Sequence, residues 1–449
     1  MRTFAIVLAA GQGTRMHSSL PKVLHPLLGR PMAWYAIETA YQVTSNQPIV
    51  IVGHRADEVM RALGETAHFI RQDPQLGTGH AVLQARSFLE GEADLILVTY
   101  ADMPLLSHQT LSQLLNAQRS HQGPISMLTI ETNDPRGFGR IIRSSDGYVQ
   151  EIIEEAQSTP DQLKIQELNP GVYCFSAGWL WTALERIPLS PKGEYYLTDL
   201  VGIATSQGMT VQAIRVEASM EMIGINTRVH LAEAEAALRK RINEHHMIQG
   251  VTLIDPETAY IEPSVAIEPD TVIWPNTYLQ GQTSIGEGSV IGPNSIISNS
   301  VIGKRCKIIA SMVEDAIVED QVQVGPYSHL RKGAHLAEGA HMGNFGEVKN
   351  SYLGPGSKMN HFSYLGDATV GANVNIGAGT ITCNYDGVKK HPTQIGDSAF
   401  IGSDTMLVAP VEVGEGSRTG AGSVVTKDIP PNSLAVGMPA RTIKKLDKK

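Results

Sequence analysis

Short aliphatic runs recur at wide spacing through the first half of the chain. Phe4–Ala10 leads into Gly11-Gln12-Gly13 and polar residues, an apolar helix-like stretch opens at Met32, and Ile49–Val52 and Leu95–Tyr100 are again bounded by turn residues. Runs this short and this uniformly apolar, separated by helix-length segments, predict parallel strands with crossover helices in an α/β domain. Ligands collect beyond the carboxyl ends of such strands. Gly11–Arg15 and Asp102 each follow a run directly, so both are expected on one rim.

From about Gly281 the pattern changes. Aliphatic anchors fall six residues apart at Val324, Leu330, Leu336, Met342 and Val348. After a one-residue slip come Leu353, Met359 and Leu365, and after another Val370 and Ile376. Past an interruption the register returns at Ile395, Ile401, Leu407, Val413, Thr419 and Val425. A small residue commonly sits four places after the anchor. A period of six suits neither a helix nor an ordinary alternating strand; it predicts a parallel β-helix, each hexad forming one flat face and the small residue permitting the corner. Between the halves, Asn226-Thr227 can cap a helix through Leu231–Ile248, with Gly250 as its stop. The expected division is residues 1–226, a connecting helix over 227–249, and the β-helix over 250–449.

Composition narrows the function. The chain has 449 residues and a formal charge of -9, so no general attraction to nucleic acid or an anionic membrane is expected. A polyanionic ligand must then be held by local cations or a metal. Three cysteines suit reduced thiols in a cytosol better than a disulfide framework. The apolar stretch at the amino end is short and runs into a glycine loop, and no stretch approaches the ~20 apolar residues that span a bilayer. A soluble, cytoplasmic protein is expected.

Gly11-Gln12-Gly13 is not followed by the Gly-Lys-Ser/Thr of a phosphate loop, and Met16 stands where a dinucleotide fingerprint has its third glycine. Arg15 and Lys22 place cations beside this loop of free N–H groups, a combination suited to a triphosphate. LAAGQGTRM with PKVLH resembles the signature of sugar-1-phosphate nucleotidyltransferases. With QLGTGHA and the hexads, the whole chain resembles the bifunctional uridylyltransferase/acetyltransferase family of bacterial cell-wall precursor synthesis. That resemblance implies a Rossmann-like nucleotidyltransferase domain followed by a left-handed parallel β-helix, assembled as a homotrimer. It implies acetyl transfer from acetyl-CoA to glucosamine-1-phosphate, then Mg²⁺-dependent uridylyl transfer from UTP to N-acetylglucosamine-1-phosphate.

Site residues follow from the same resemblance. Leu8, Ala9 and Gly11 frame the nucleotide, Gln72 with Gly77 and Thr78 recognises uracil, and Tyr100 and Asp102 border the sugar phosphate and metal. Gly139, Glu154 and Asn169 match sugar-binding positions, and Asn226 matches the second protein ligand of Mg²⁺. The attacking phosphate oxygen is already anionic, so the obstacle is repulsion between anions, which the metal, Lys22 and Arg15 would offset. Ala101 stands where a glycine is expected, and a positive φ there would be costly to a methyl group. Acetyl transfer needs a neutral amine and hence a proton acceptor. His361 matches that base, with Arg331, Lys349, Tyr364 and Asn375 contacting the acceptor sugar and its phosphate. TCNYDGVKKHPT interrupts the hexads as a loop, and its Asn384 and Tyr385 match sugar- and acetyl-CoA-contacting positions. Ala378, Ser403 and Ala421 leave room for the thioester and pantetheine arm, and Arg441, beyond Met438, is the candidate for the CoA phosphate.

Two rivals remain at this point: a single-activity nucleotidyltransferase whose β-helix only oligomerises, and a structural trimer with degenerate sites. His361 and the Asn384-Tyr385 loop argue against a bare scaffold. His329, His335 and His341 lie six apart and should point from successive faces, unable to share one zinc ion. Cys383 is expected to be an inert thiol.

Overall fold

The computed structural model describes residues 1–217 and 219–445. The chain divides into two compact units, Met1–Leu238 and Arg239–Lys449. The division falls inside the Arg228–Ile248 helix. Ahead of that helix the Thr227 hydroxyl accepts from the His230 N–H at 3.2 Å, and Gly250 follows it at φ +95°.

The first unit is built on a ten-stranded sheet. In spatial order it runs His68–Arg71, Ile49–Val52, Thr3–Ala9, Leu95–Tyr100, Tyr173–Ser176, Ile125–Glu131, Glu167–Asn169, Gly139–Arg143 and Val149–Ile153, with Val211–Arg215 also paired to Ile125–Glu131. The first four strands are parallel; three of them are the aliphatic runs, as predicted, and His68–Arg71 is a fourth that the pattern did not mark. Both faces are covered: Ala5, Val7 and Ala9 enter one core, Ile6 and Leu8 the other, which is why the sequence reads as a continuous apolar run. Beyond Leu95–Tyr100 the sheet becomes mixed, because Tyr173–Ser176 runs antiparallel to both its neighbours. Aliphatic content reports burial, not direction, so this change is invisible in the pattern.

The second unit is a parallel β-helix of three sheets, of twelve, ten and nine strands. Successive anchors visit the three in turn. Val324 lies on the first sheet, Leu330 on the second, Leu336 on the third, and Met342 stacks on Val324 one coil later. All of these point into one continuous core. Each such side chain contributes roughly 1.5–3 kcal/mol by leaving water, so a coil rests on three of them. The coil begins at Thr252–Leu253, well before Gly281. Its first turn is lengthened by a short helical turn at Pro256–Thr258, and the early corners carry Pro, Asp and Asn where later ones often carry Gly. Small residues are also not obligatory at corners. Tyr327 and Phe345 adopt left-handed φ of 61° and 58° between the first and second sheets, and their exposed rings stack at 5.5 Å. Among the described residues no helix is long and apolar enough to cross a membrane.

Candidate active sites

In the first unit, a cleft of about 600 Å³ opens at the carboxyl ends of the parallel strands. Leu8, Ala9, Gly11, Lys22, Gln72, Gly77, Thr78, Tyr100 and Asp102 line it, so the expected rim exists. Its polar centre is a three-residue cluster. The Lys22 ammonium is ion-paired to the Asp102 carboxylate and donates to the Asn226 side-chain oxygen at 3.1 Å. Three segments distant in sequence thus bring one cation and two hard oxygens together. At the opposite wall the Gln72 amide donates to the Gly77 carbonyl at 2.8 Å and meets His80 Nδ1 at 3.1 Å. Gly77 takes φ +93°, and a Cβ there would lie 2.7 Å from the Tyr195 carbonyl oxygen. Only glycine fits so close a backbone crossing in that conformation.

Gly139, Glu154 and Asn169 do not line this cleft but cluster beside Tyr100. Asn169 and Gly139 face each other across neighbouring strands. The Asn169 side chain donates to the Tyr173 hydroxyl at 2.7 Å and accepts from the Gly171 N–H at 3.1 Å, while Thr198 donates to Glu154 at 2.9 Å. Burial, then the charges of Glu154 and Asp102, push the Tyr100 phenol well above its usual range, so it stays a neutral donor. Arg15 is exposed on the Thr14–Met16 turn and is not part of the cleft wall. Sequence reasoning missed Gln75, Glu194 and Tyr196, which do line it. They sit in irregular loops with no periodic signal. Ala101 does not take a positive φ; its methyl is fully buried in the core, so the anticipated strain is absent.

In the second unit the candidate residues occupy two edges of the coil. His361, Ala378, Ser403 and Ala421 stack along the edge between the first and second sheets, linked rung to rung. Gly379 donates to the Phe362 carbonyl at 2.7 Å, Asp404 to Ala378 at 2.7 Å, and Gly422 to Ser403 at 2.8 Å. His361 is exposed there. Asn375 faces outward from the neighbouring first sheet. Arg331, Lys349, Tyr364 and Asn384 belong to the second sheet and its other edge, toward the third. Arg331 pairs with Glu347 at 2.8 Å, which holds its pKa up. The Lys349 ammonium is pushed down, first by Lys390 and then by Arg331, marking a cationic corner. Tyr385 is exposed at 61% on the interrupting loop, its hydroxyl donating to Gly387 at 2.7 Å. Arg441 is exposed on the last strand, opposite Val436, and its guanidinium donates to the neighbouring Ala440 carbonyl at 3.2 Å.

His329, His335 and His341 lie on the second, third and first sheets, and the first two are tied to Glu314 at 2.7 Å and Glu319 at 2.6 Å. Among the described residues no group of three or more His, Cys, Asp or Glu is disposed to hold a metal. All three cysteines are unpaired. Burial pushes Cys174 up to about 12 and Cys306 up to about 11, and raises Cys383 as well. Thiolates are the reactive form, so a colorimetric thiol reagent at about pH 8 should titrate no more than Cys383 in the folded chain. All three should react after denaturation, and release of a buried thiol without unfolding would contradict the packing.

The cleft on the α/β sheet and the hexad coil share one chain, the two parts of a nucleotidyltransferase joined to a hexapeptide-repeat domain. Residues 5–193 match the MobA-like NTP transferase domain family, and residues 264–299 and 392–427 match the bacterial transferase hexapeptide (six repeats) family. Three relatives named bifunctional protein GlmU span nearly its full length. The Shouchella clausii protein is 42% identical over 96% of this chain and 96% of its own. That of Pelobacter propionicus is 45% identical over 96% and 95%, and that of Exiguobacterium sibiricum 45% over 99% and 99%. The chain belongs to the GlmU family of bifunctional proteins, and its coil is a left-handed parallel β-helix.

Proposed function

We propose that the chain makes UDP-N-acetylglucosamine by two reactions at separate sites. The observation that carries this reading is the presence on one polypeptide of both a cation–carboxylate–carboxamide cluster, Lys22–Asp102–Asn226, and a histidine-bearing edge of the coil. In acetyl transfer, the amine of glucosamine-1-phosphate attacks the thioester carbon of acetyl-CoA and the C–S bond breaks. His361 takes the proton from nitrogen and can return it to the leaving CoA thiolate. Arg331 and Lys349 hold the sugar phosphate, and Asn384 the sugar. Small residues at Ala378, Ser403 and Ala421 leave a track for the pantetheine arm, with Tyr385 beside the thioester and Arg441 toward the CoA phosphate.

In uridylyl transfer, a phosphate oxygen of N-acetylglucosamine-1-phosphate attacks the α-phosphorus of UTP, and pyrophosphate leaves. Gln72, Gly77 and Thr78 read the uracil, while Leu8, Ala9 and Gly11 wall the nucleotide. Gly139, Glu154 and Asn169 hold the sugar beside Tyr100, and Lys22 offsets charge at the phosphates, with Arg15 more distant. The Asp102 carboxylate and Asn226 carboxamide oxygens fit Mg²⁺: both are hard donors that already converge on one cation, and Mg²⁺ takes few protein ligands beside waters and phosphates. Bound there, the ion would supply charge neutralisation at the reacting phosphates.

A closed trimer supports both halves of the acetyl-transfer site. The outward residues of the second sheet run Tyr278, Ile296 and Met312, then the polar His329, Glu347 and Tyr364, then Ile381, Met406 and Val424, so two apolar stretches flank a polar middle on a face that a single chain leaves partly exposed. Three parallel coils turning this face toward a three-fold axis would bring the His361 edge of one chain beside the Lys349 edge of its neighbour. The unpaired thiols suit a reducing cytoplasm. Glucosamine-1-phosphate, acetyl-CoA, UTP and Mg²⁺ together should yield free CoA thiol, pyrophosphate and UDP-N-acetylglucosamine. Pyrophosphate from N-acetylglucosamine-1-phosphate with no CoA release from glucosamine-1-phosphate would support the single-activity rival instead.

A further inference from the structure

We propose that Asp367, held against both ends of the loop that interrupts the coil, is a positioning residue of the acetyl-transfer site and acts through Asn384. The inference rests on the acetyl-transfer reading and adds to it a residue outside that set. Asp367 sits at the corner between the second and third sheets with φ +50°. Its Oδ2 accepts from the Asn384 side-chain nitrogen at 2.5 Å, and its Oδ1 accepts from Asn350 Nδ2 at 2.6 Å. The backbone joins in: the Thr393 N–H donates to the Asp367 carbonyl at 3.1 Å, and the Asp367 N–H to the Lys349 carbonyl at 3.2 Å. Lys390 lies 3.9 Å from Oδ2. One residue therefore ties the loop's first residue, Asn384, and its return at Lys390 and Thr393 to the strand end that carries Lys349.

The chemistry requires such an anchor. Asn384 is buried, and a carboxamide turns about its terminal bond with little preference between its two faces. A carboxylate accepting its N–H fixes the flip, so the Asn384 oxygen is the atom left for a substrate donor. The loop has little other hold: its tip is exposed, closed on itself by Asp386 and His391 at 2.6 Å and by the His391 N–H to the Asn384 carbonyl at 2.7 Å.

Asp367→Asn tests this with little risk to the fold, since Asn tolerates the left-handed conformation. The variant can offer only one oxygen to two amide donors. Acetyl transfer in the full-length protein should fall at least about tenfold in kcat/KM, with uridylyl transfer on the same chain unchanged as an internal control. Asn384→Ala should lose as much or more, and the double variant should be no worse than Asn384→Ala alone, because one residue acts through the other. Asn350→Ala, which leaves the charge in place, should show a smaller loss and decides the matter if Asp367→Asn does not fold. Acetyl transfer within twofold of the parent in the folded variant, or losses that multiply in the double variant, would overturn the inference. A parent protein that consumes no acetyl-CoA would instead sink the acetyl-transfer reading itself.

Discussion

Replacing Asp102 by alanine is expected to lower uridylyl transfer by roughly 10²–10³-fold while acetyl transfer on the same chain continues at the parent rate. The carboxylate meets Lys22 and shares that ammonium with Asn226, so its loss removes the charged member of the proposed Mg²⁺ pair. It also leaves a largely buried ammonium without its counter-ion. Both effects act at the phosphates and neither reaches the coil. Asn226→Ala should be milder, because a neutral oxygen contributes less to holding a divalent cation than a carboxylate does. Raising Mg²⁺ should recover part of the Asn226→Ala loss and little of the Asp102→Ala loss. The two rates are read separately, as pyrophosphate from UTP plus N-acetylglucosamine-1-phosphate and as CoA thiol from acetyl-CoA plus glucosamine-1-phosphate. An Asp102→Ala protein that retained uridylyl transfer within tenfold would remove the carboxylate from the mechanism.

How much of this is legible in the sequence depends on whether a feature repeats. The coil repeats, and its anchors from Val324 to Val425 lie in the core because each must point inward once per face. The slips at Leu353 and Val370 are real: each marks a corner one residue shorter, after Lys349 and after Gly366, and neither moves the following anchor out of the core. The same spacing holds from Ile261 to Leu279, but there the corners lack the glycines that draw attention to it from Gly281 onward. Pattern alone places the cleft at strand ends, at Gly11 and Asp102 with Lys22 beside them, and the family resemblance adds Leu8, Ala9, Gln72, Gly77, Thr78 and Tyr100. Tyr196 and Glu194 enter it from a loop, and Asn226 meets Lys22 across most of the unit, so spacing along the chain carries no trace of either contact. Ala101 shows the converse. A departure from an expected residue is strain only if the backbone demands it, and a buried methyl at ordinary φ makes no such demand.

His361→Ala should cut acetyl transfer by roughly 10²–10⁴-fold, the usual contribution of a positioned proton acceptor, and leave uridylyl transfer intact. The histidine stands exposed on one edge of the second sheet, whereas Lys349 and Asn384 belong to its other edge, with the sheet's width between them. A substrate as small as an amino sugar phosphate cannot bridge opposite edges of a face within one chain and still present its amine to the imidazole. In the proposed trimer, coils packed by that face would set unlike edges of neighbouring chains side by side. Mixing His361→Ala chains with Lys349→Ala chains, by co-expression or by unfolding and refolding together, then separates the arrangements. If each site takes its histidine from one chain and its lysine from the next, about three quarters of random trimers are mixed and each mixed trimer has one intact site in three. Acetyl transfer should recover to about a quarter of the parent activity, from two variants that are each nearly inactive. A site contained within a single chain would recover nothing on mixing, because every chain in the mixture lacks one of the two groups.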